Sequence, residues 1–443
     1  MLTRRFRRTR QRRIVRLALF LVLGLLLLDS LTILKHYRQF ATNIRKHTYT
    51  EQSSLPSAAK GQKIFISSQF WTNAHVIEAR WGEALLKLVD VLGPENVYVS
   101  IYESGSLDNT KAVLSQLDAQ LAAKKVTRSI VLDTESHADL IHSGPYDEEG
   151  KPRPGWVLPP SGSNGKEVRR IPHLAKTRNL SLQPLLDEKA NHGRSYDKVL
   201  FLNDVVFQPH DVLSLLATNG GSYSVACAID FQFPGVLASL YDTFALRDLN
   251  GARTLAGHFP YFRAAESREA ILRGDSARVK SCWNGMVLMD ASPFYPTVDI
   301  DGQQIDGLRF RAISDSLAAK HLEASECCLI NADLAAMGAA EHGIYINPAV
   351  RVAYTEQAYN LTHTGSDTAS TGFITPSDYL FASWLFRLAQ WVESSASKAL
   401  DQKVHSRVVK WQQDNTLERR NETGEMCLID EMHLLIWNGW KHA

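Results

Sequence analysis

Short apolar runs and helix-length amphipathic segments take turns along residues 63–229, and this alternation restricts the fold more than any other feature of the chain. Lys63-Ile-Phe-Ile-Ser reads as a strand, 74–92 as a helix with apolar residues at helical spacing, and Val97-Tyr-Val-Ser-Ile as a second strand. A helix over 110–124 and a strand at Ser129-Ile-Val-Leu come next. A helix over 174–186, a strand over 198–202, a helix over 210–217 and a strand over 223–229 complete the series. Strands alternating with helices bury best as an α/β fold, a mostly parallel sheet with helices on its faces. A Pro- and Gly-rich stretch, 143–165, interrupts the series and reads as a disordered loop or a functional flap. Beyond residue 260 the rhythm is less regular, and 377–391 and 394–413 read as two amphipathic helices.

The net charge of +2 conceals an asymmetry, because eight arginines fall within the first sixteen residues. A basic patch can serve nucleic acid, but this one abuts an apolar run, Leu17 to Leu34, broken only by Asp29, Ser30 and Thr32. As a helix that run spans about 27 Å, enough for a thin bilayer. No small-residue cleavage site follows it, so it reads as a retained signal anchor. The arginines favour the cytoplasmic side, which puts the bulk of the chain in the lumen as a single-pass type II protein. The expected organisation is a tail (1–16), an anchor (17–34), a stem (35–60), a catalytic body (61–370) and a helical extension (371–443). Sequons at Asn179, Asn360 and Asn421 agree with a luminal body. Of the five cysteines, one or two disulfides suit an oxidising lumen, with a thiol left over. Cys227, inside an apolar strand, reads as a core residue, and no Cys-x-x-Cys or Cys/His spacing points to zinc.

Several segments carry chemistry. Val199-Leu-Phe-Leu-Asn203-Asp204 is an apolar strand delivering a carboxylate to its C-terminal tip, where α/β sheets place ligands for metals and phosphates. Asp204 is therefore the expected metal ligand, for Mn²⁺ or Mg²⁺, with Asn203 beside it. A second protein ligand must come from elsewhere; Asp230, or a late histidine such as His363, is a candidate. The run Glu103-Ser-Gly-Ser-Leu-Asp108 follows the second strand and reads either as a nucleotide site or as a plain capped turn. Lys176 and Arg178 near a helix start suit a diphosphate. Trp283-Asn284-Gly285 offers an aromatic face and an amide for a sugar. Glu323 and Glu326 share one helix side, where a carboxylate can orient an acceptor hydroxyl or support a cationic centre, although surface acids are the commoner case.

Taken in order, Lys198-Val-Leu-Phe-Leu-Asn-Asp-Val-Val-Phe, Tyr241-Asp-Thr-Phe-Ala-Leu-Arg-Asp, Phe259-Pro-Tyr-Phe, Val279-Lys-Ser-Cys-Trp-Asn-Gly-Met, Leu308-Arg-Phe-Arg and Ser325-Glu-Cys-Cys-Leu-Ile resemble the fungal capsule-associated α-1,3-mannosyltransferases, type II Golgi enzymes. The resemblance covers about residues 62–360. It implies a GT-A-like fold and retaining transfer of mannose from GDP-mannose to a mannoside acceptor, with a divalent cation, Mn²⁺ being the expected ion. In that scheme Asp204 and the metal hold the diphosphate, and Arg178 or Lys176 screens it. Trp283 and Asn284 hold sugar, Glu103 and Asp108 contact base and ribose, and Glu326 or Asp230 supports the reacting centre. Asn203-Asp204 departs from the usual pair of carboxylates. That departure leaves room for a catalytically silent, glycan-binding relative or a scaffold for other Golgi transferases. Another sugar nucleotide on the same fold is the nearer alternative.

Overall fold

The computed structural model describes residues 2–50, 53–159, 165–232, 239–255, 257–298, 302–363, 374–414 and 421–443. The boundary expected at residue 370 lies outside them. The helix-flanked α/β sheet is present, with nine strands among the described residues. We number the main elements α1 (Leu2–His47), β1 (Ile64–Phe70), α2 (Gly82–Leu92), β2 (Val97–Glu103), α3 (Thr110–Ala123), β3 (Thr127–Leu132), α4 (Arg170–His192), β4 (Lys198–Leu202) and α5 (Pro209–Leu216). They continue as β5 (Val225–Phe231), β6 (Arg247–Asp248), α6 (Ala265–Arg273), β7 (Ala277–Ser281), β8 (Met286–Asp290), α7 (Glu326–Ala336), β9 (Ile344–Ala353), α8 (Glu356–His363), α9 (Pro376–Gln413), β10 (His433–Ile436) and β11 (Gly439–His442).

The strand order is β3-β2-β1-β4-β8-β5-β9-β7-β6. The first four strands are mutually parallel, as the alternation implies. The sheet is mixed beyond that point, because β8 lies antiparallel between β4 and β5, and β7 is antiparallel to β9. Both faces are covered, so β2, β4 and β5 are buried at every position. The two helices expected over 377–413 are one continuous helix, α9. Within the Pro/Gly-rich stretch, Trp156–Val157 pairs with Glu167–Val168, so part of the expected loop is a small ribbon.

Residues 35–47, expected as stem, continue α1 without a break. Ile33, Tyr37, Phe40, Ala41 and Ile44 recur at helical spacing and are buried. Phe40 packs edge-on to Phe259, and Tyr37 to Tyr379 of α9. Gly274 makes room for this helix, since a Cβ there would come within 2.6 Å of the Phe40 carbonyl oxygen. Earlier in α1 the pattern reverses: Leu17 to Leu28 expose their apolar side chains. Among the described residues this is the one helix long and apolar enough to cross a membrane. Asp29 accepts hydrogen bonds from Trp384 and Arg387 of α9.

Cys227–Cys282 and Cys328–Cys427 form disulfides, leaving Cys327 as a buried thiol. Cys227 is in the core as expected but is also cross-linked. Cys227–Cys282 ties β5 to the residue that follows β7, and Cys328–Cys427 ties α7 to the C-terminal segment.

Candidate active site

The cleft lies where β4, β5 and β9 end, and has a volume of about 930 Å³. Asp204 enters it because β4 stops at Leu202 and the chain turns at once. The Asn203 N–H donates to Gly285 O at 2.9 Å, and the Trp81 indole donates to Asn203 O at 3.0 Å. Trp81 is presented by a π-turn over Ile77–Trp81. On the opposite side Asn284 and Gly285 both have positive φ (53° and 77°), and a Cβ on Gly285 would meet Val205 at 2.7 Å. The strand tip is thus held from both sides, and the Asn73 side chain donates to Asp204 Oδ2 at 2.8 Å. Burial raises the proton affinity of Asp204, against the Asn73 hydrogen bond and the charges of Arg178 and His75.

Two further acids gather nearby. Asp242 lines the cleft, and its Oδ1 accepts from the Phe244 and Ala245 N–H groups. Asp230 is fully buried behind it and does not line the cleft. It accepts from Asn284 Nδ2 at 2.7 Å, and its Oδ2 is buried without a partner among the described residues. Burial, then the charge of Asp242, pushes Asp230 up to about 7. Tyr241 and Tyr354, with ring centroids 4.5 Å apart, sit in the field of all three acids. Oxygen donors of this type suit a hard divalent ion such as Mn²⁺ or Mg²⁺, so Asp204, with Asp242, fits the expected metal.

Cationic groups line the same cleft. Arg178 Nε donates to Glu326 Oε1 at 3.0 Å while its guanidinium lies 4.5 Å from the Trp283 ring. Burial opposes the charge of Arg178, and Cys327 and Glu326 more than restore it. Trp283 in turn donates to Asn203 Oδ1 at 3.4 Å. Arg178, Glu326, Trp283, Asn203 and Asp204, expected from sequence, therefore all line one cleft.

Other expectations are corrected. Asn284 is fully buried and supports Asp230, so it does not face a sugar. Glu103 is fully buried, accepts from the Ser106 N–H and lies 3.8 Å from Lys111. Asp108 accepts from the Ala74 N–H and from Thr110, the plain capped turn. Of that run, Ser104 lines a smaller adjoining cavity with Trp71, Asn73, His137 and His173. Lys176 is exposed, 3.6 Å from Glu135, and outside the cleft. His363 stacks on Tyr359 and lies 3.6 Å from Asp211, also outside it. Asn179 donates to Phe310 O and accepts from its N–H, so the sequon amide is engaged in the fold.

Arg170, which no local motif marks, lines the cleft where Lys176 does not. It lines both cavities, stacks 4.3 Å over Trp440, and has no hydrogen-bonded carboxylate among the described residues. Burial lowers its proton affinity, against the attraction of Glu326 and Tyr241. Nothing local in the sequence distinguishes it from Arg169, which is fully buried and paired with Glu323 and Asp315. An under-compensated cation in a cleft favours an anion. Arg170→Met is expected to weaken pyrophosphate binding roughly 10- to 150-fold, the value of one charge-assisted contact, about 1.5–3 kcal/mol. Its melting temperature should not fall. Calorimetric titration with pyrophosphate checks this, and unchanged affinity would refute it.

Asp230 supplies a pH test. Its raised proton affinity favours the protonated form in the folded state. Its contribution is therefore fully present below the unfolded value, about 3.9, and is lost as pH rises to about 7. Asp230→Asn should remove that slope, making the protein more stable at pH 7.5 by an amount on the order of a few kcal/mol. Thermal melts in EDTA from pH 4 to 8 measure it; parallel curves for both proteins would contradict the assignment.

An α/β sheet with a cleft acidic at one strand tip and lined also by cationic groups defines a protein that handles a charged ligand, most simply one carrying phosphates. Residues 63–333 match the family described as Cryptococcal mannosyltransferase 1, and the chain belongs to that family. It is 26% identical over 313 residues to the α-1,3-mannosyltransferase CMT1 of Cryptococcus neoformans, a match covering 68% of this chain and 59% of that protein. A mannosyltransferase from Pyrobaculum calidifontis, solved with GDP-Man and Mn²⁺, aligns over 90% of this chain and 94% of its own at 11% identity, with a TM-score of 0.34. Glucosyl-3-phosphoglycerate synthase from Mycobacterium tuberculosis, with Mn²⁺, UDP-glucose and phosphoglyceric acid, covers 68% and 75% at 14% identity and a TM-score of 0.30. Likenesses this weak carry no functional argument.

Proposed function

We propose that the protein is a retaining α-1,3-mannosyltransferase that moves mannose from GDP-mannose to a mannoside acceptor. The observation that carries this is Asp204, a half-buried carboxylate pinned at a strand tip and lining one cleft with Arg170 and the Arg178–Glu326 pair. Family membership supports glycosyl transfer, and the α-1,3 linkage follows the relative's name.

In this reading Asp204 and Asp242 hold Mn²⁺, which when bound neutralises the diphosphate as it departs. Arg170 binds the diphosphate. Glu326, held by Arg178, orients the sugar or the acceptor hydroxyl. No acid stands out as a nucleophile, which supports front-face attack. The bond from mannose C1 to the phosphate oxygen breaks, the acceptor oxygen bonds to C1 on the same face, and the acceptor proton passes to the departing phosphate.

The arginine tail, exposed apolar half of α1 and two disulfides support a type II Golgi membrane protein with its body in the lumen. α9 strengthens this reading. Beside the Asp29 clamp it exposes Phe381, Leu385 and Leu388, a stripe at helical spacing.

The test is turnover of a sugar-nucleotide panel by the full chain in detergent, with an α-mannoside and either Mn²⁺ or EDTA. GDP-mannose consumption that EDTA abolishes is the expected result. Turnover of a different donor would overturn the GDP-mannose assignment. An inert, folded protein would favour the silent glycan-binding or scaffold reading left open by the single carboxylate at Asn203-Asp204.

A further inference from the structure

We propose that Glu431, His433 and His442 form a binding site for a divalent transition-metal ion on the C-terminal wall of the cleft, separate from Asp204. It does not depend on the identity of the sugar donor. One ligand atom from each residue lies within 4.8 Å of the others. Glu431 Oε2 is 3.2 Å from His433 Nε2 and 3.0 Å from His442 Nδ1. Ligands bonded at about 2.0–2.2 Å around one ion are themselves about 3.0–3.5 Å apart, so the three atoms need only small movements to converge.

The backbone sets this convergence. In the β10–β11 hairpin His433 and His442 are directly paired, which places their side chains on one face, with ring centroids 4.9 Å apart. Ala443 N–H donates to Met432 O, Leu434 is fully buried, and Lys441 pairs with Glu167 at 2.6 Å. Leu434 and Lys441 hold the hairpin against the body, and His433 packs on Phe244 with ring centroids 4.8 Å apart, which fixes its imidazole at the cleft wall. All three residues line the cleft along with Asp242 and Phe244.

Two imidazoles and one carboxylate, leaving coordination positions toward open space, suit Zn²⁺ or Co²⁺ better than Mg²⁺ or Ca²⁺. The Arg170 guanidinium, stacked on Trp440 of the same hairpin, opposes a cation here, and the Glu431 charge offsets it. Asp204 lies outside the cluster, engaged with Asn73.

The test is a Co²⁺ titration of EDTA-stripped full-length protein in detergent, followed by visible absorption and by bound-metal analysis after desalting. The expected result is one equivalent of Co²⁺ with ligand-field bands of imidazole coordination, displaced by Zn²⁺. His442→Ala should weaken that binding roughly 100-fold or more. His442 is exposed at the hairpin end, so its melting temperature should not change. Asp204→Asn should leave the bands intact. Absence of such bands, or their persistence in folded His442→Ala, would overturn the site. Their loss in Asp204→Asn would overturn its separateness and assign the histidines to the same ion as Asp204.

Discussion

Asp204→Asn is expected to lower glycosyl transfer roughly 10²–10³-fold or more, about 3–4 kcal/mol of transition-state stabilisation, while the protein in EDTA becomes at least as stable as before. The substitution keeps the shape of the side chain and its acceptor oxygen toward Asn73, and removes only the charge. In the folded protein that charge is a liability, because burial raises the proton affinity of Asp204. A half-buried carboxylate that costs stability in a cleft is what a cation-binding role requires. Because the raised proton affinity sets protons in competition with Mn²⁺ for this carboxylate, acid opposes metal binding. Metal affinity should therefore rise with pH. Two measurements are needed, kcat/KM with saturating Mn²⁺ and a thermal melt in EDTA. Full activity in Asp204→Asn would remove the central residue of the proposed mechanism; lost activity with a lowered melting temperature would reassign Asp204 to folding.

A fragment starting at residue 61, the cut suggested by reading 35–60 as a stem, is expected to be severely destabilised. One starting at Leu31 should fold. The longer fragment retains Ile33, Tyr37, Phe40 and Ile44, each buried against α6, α9 or the loop at Phe259. Burial of each large apolar side chain contributes about 1.5–3 kcal/mol, so losing four rivals the whole stability of an ordinary domain. Polar contacts go with them: Tyr37 donates to Ile374 O, and Asn43 donates to Arg273 O and Asp275. Expression yield, gel filtration and melting temperature of the two fragments provide the comparison. Equal stability would mean that the C-terminal half of α1 is dispensable.

How much of this was legible beforehand depended on the range of the interaction involved. Val199 to Leu202 could be read as a buried strand because its apolar run and abrupt polar end are local. Asp204, Arg178, Trp283 and Glu326 each sit in a short distinctive run, and all four line one cleft. Glu103, Asp108 and Asn284 were placed in the site by equally distinctive runs, yet their polar atoms are taken by neighbouring backbone and by Asp230. A motif shows which groups are present in a segment and not which partners they find. The stem was misread for a related reason: Tyr37, Phe40 and Ile44 are too sparse to mark a core helix until α6 and α9 are seen to cover them.

The sequence by itself determined the alternating α/β body, the apolar N-terminal helix and the strand that carries Asp204 to its tip. These follow from periodicity and chain punctuation, which act over a few residues. Only the tertiary structure decided that β8 enters the sheet antiparallel, that Arg170 rather than Lys176 lines the cleft, and that the hairpin carrying His433 and His442 joins the cleft wall. Those outcomes depend on packing between distant segments, where burial and charge compensation select among side chains that look alike in sequence.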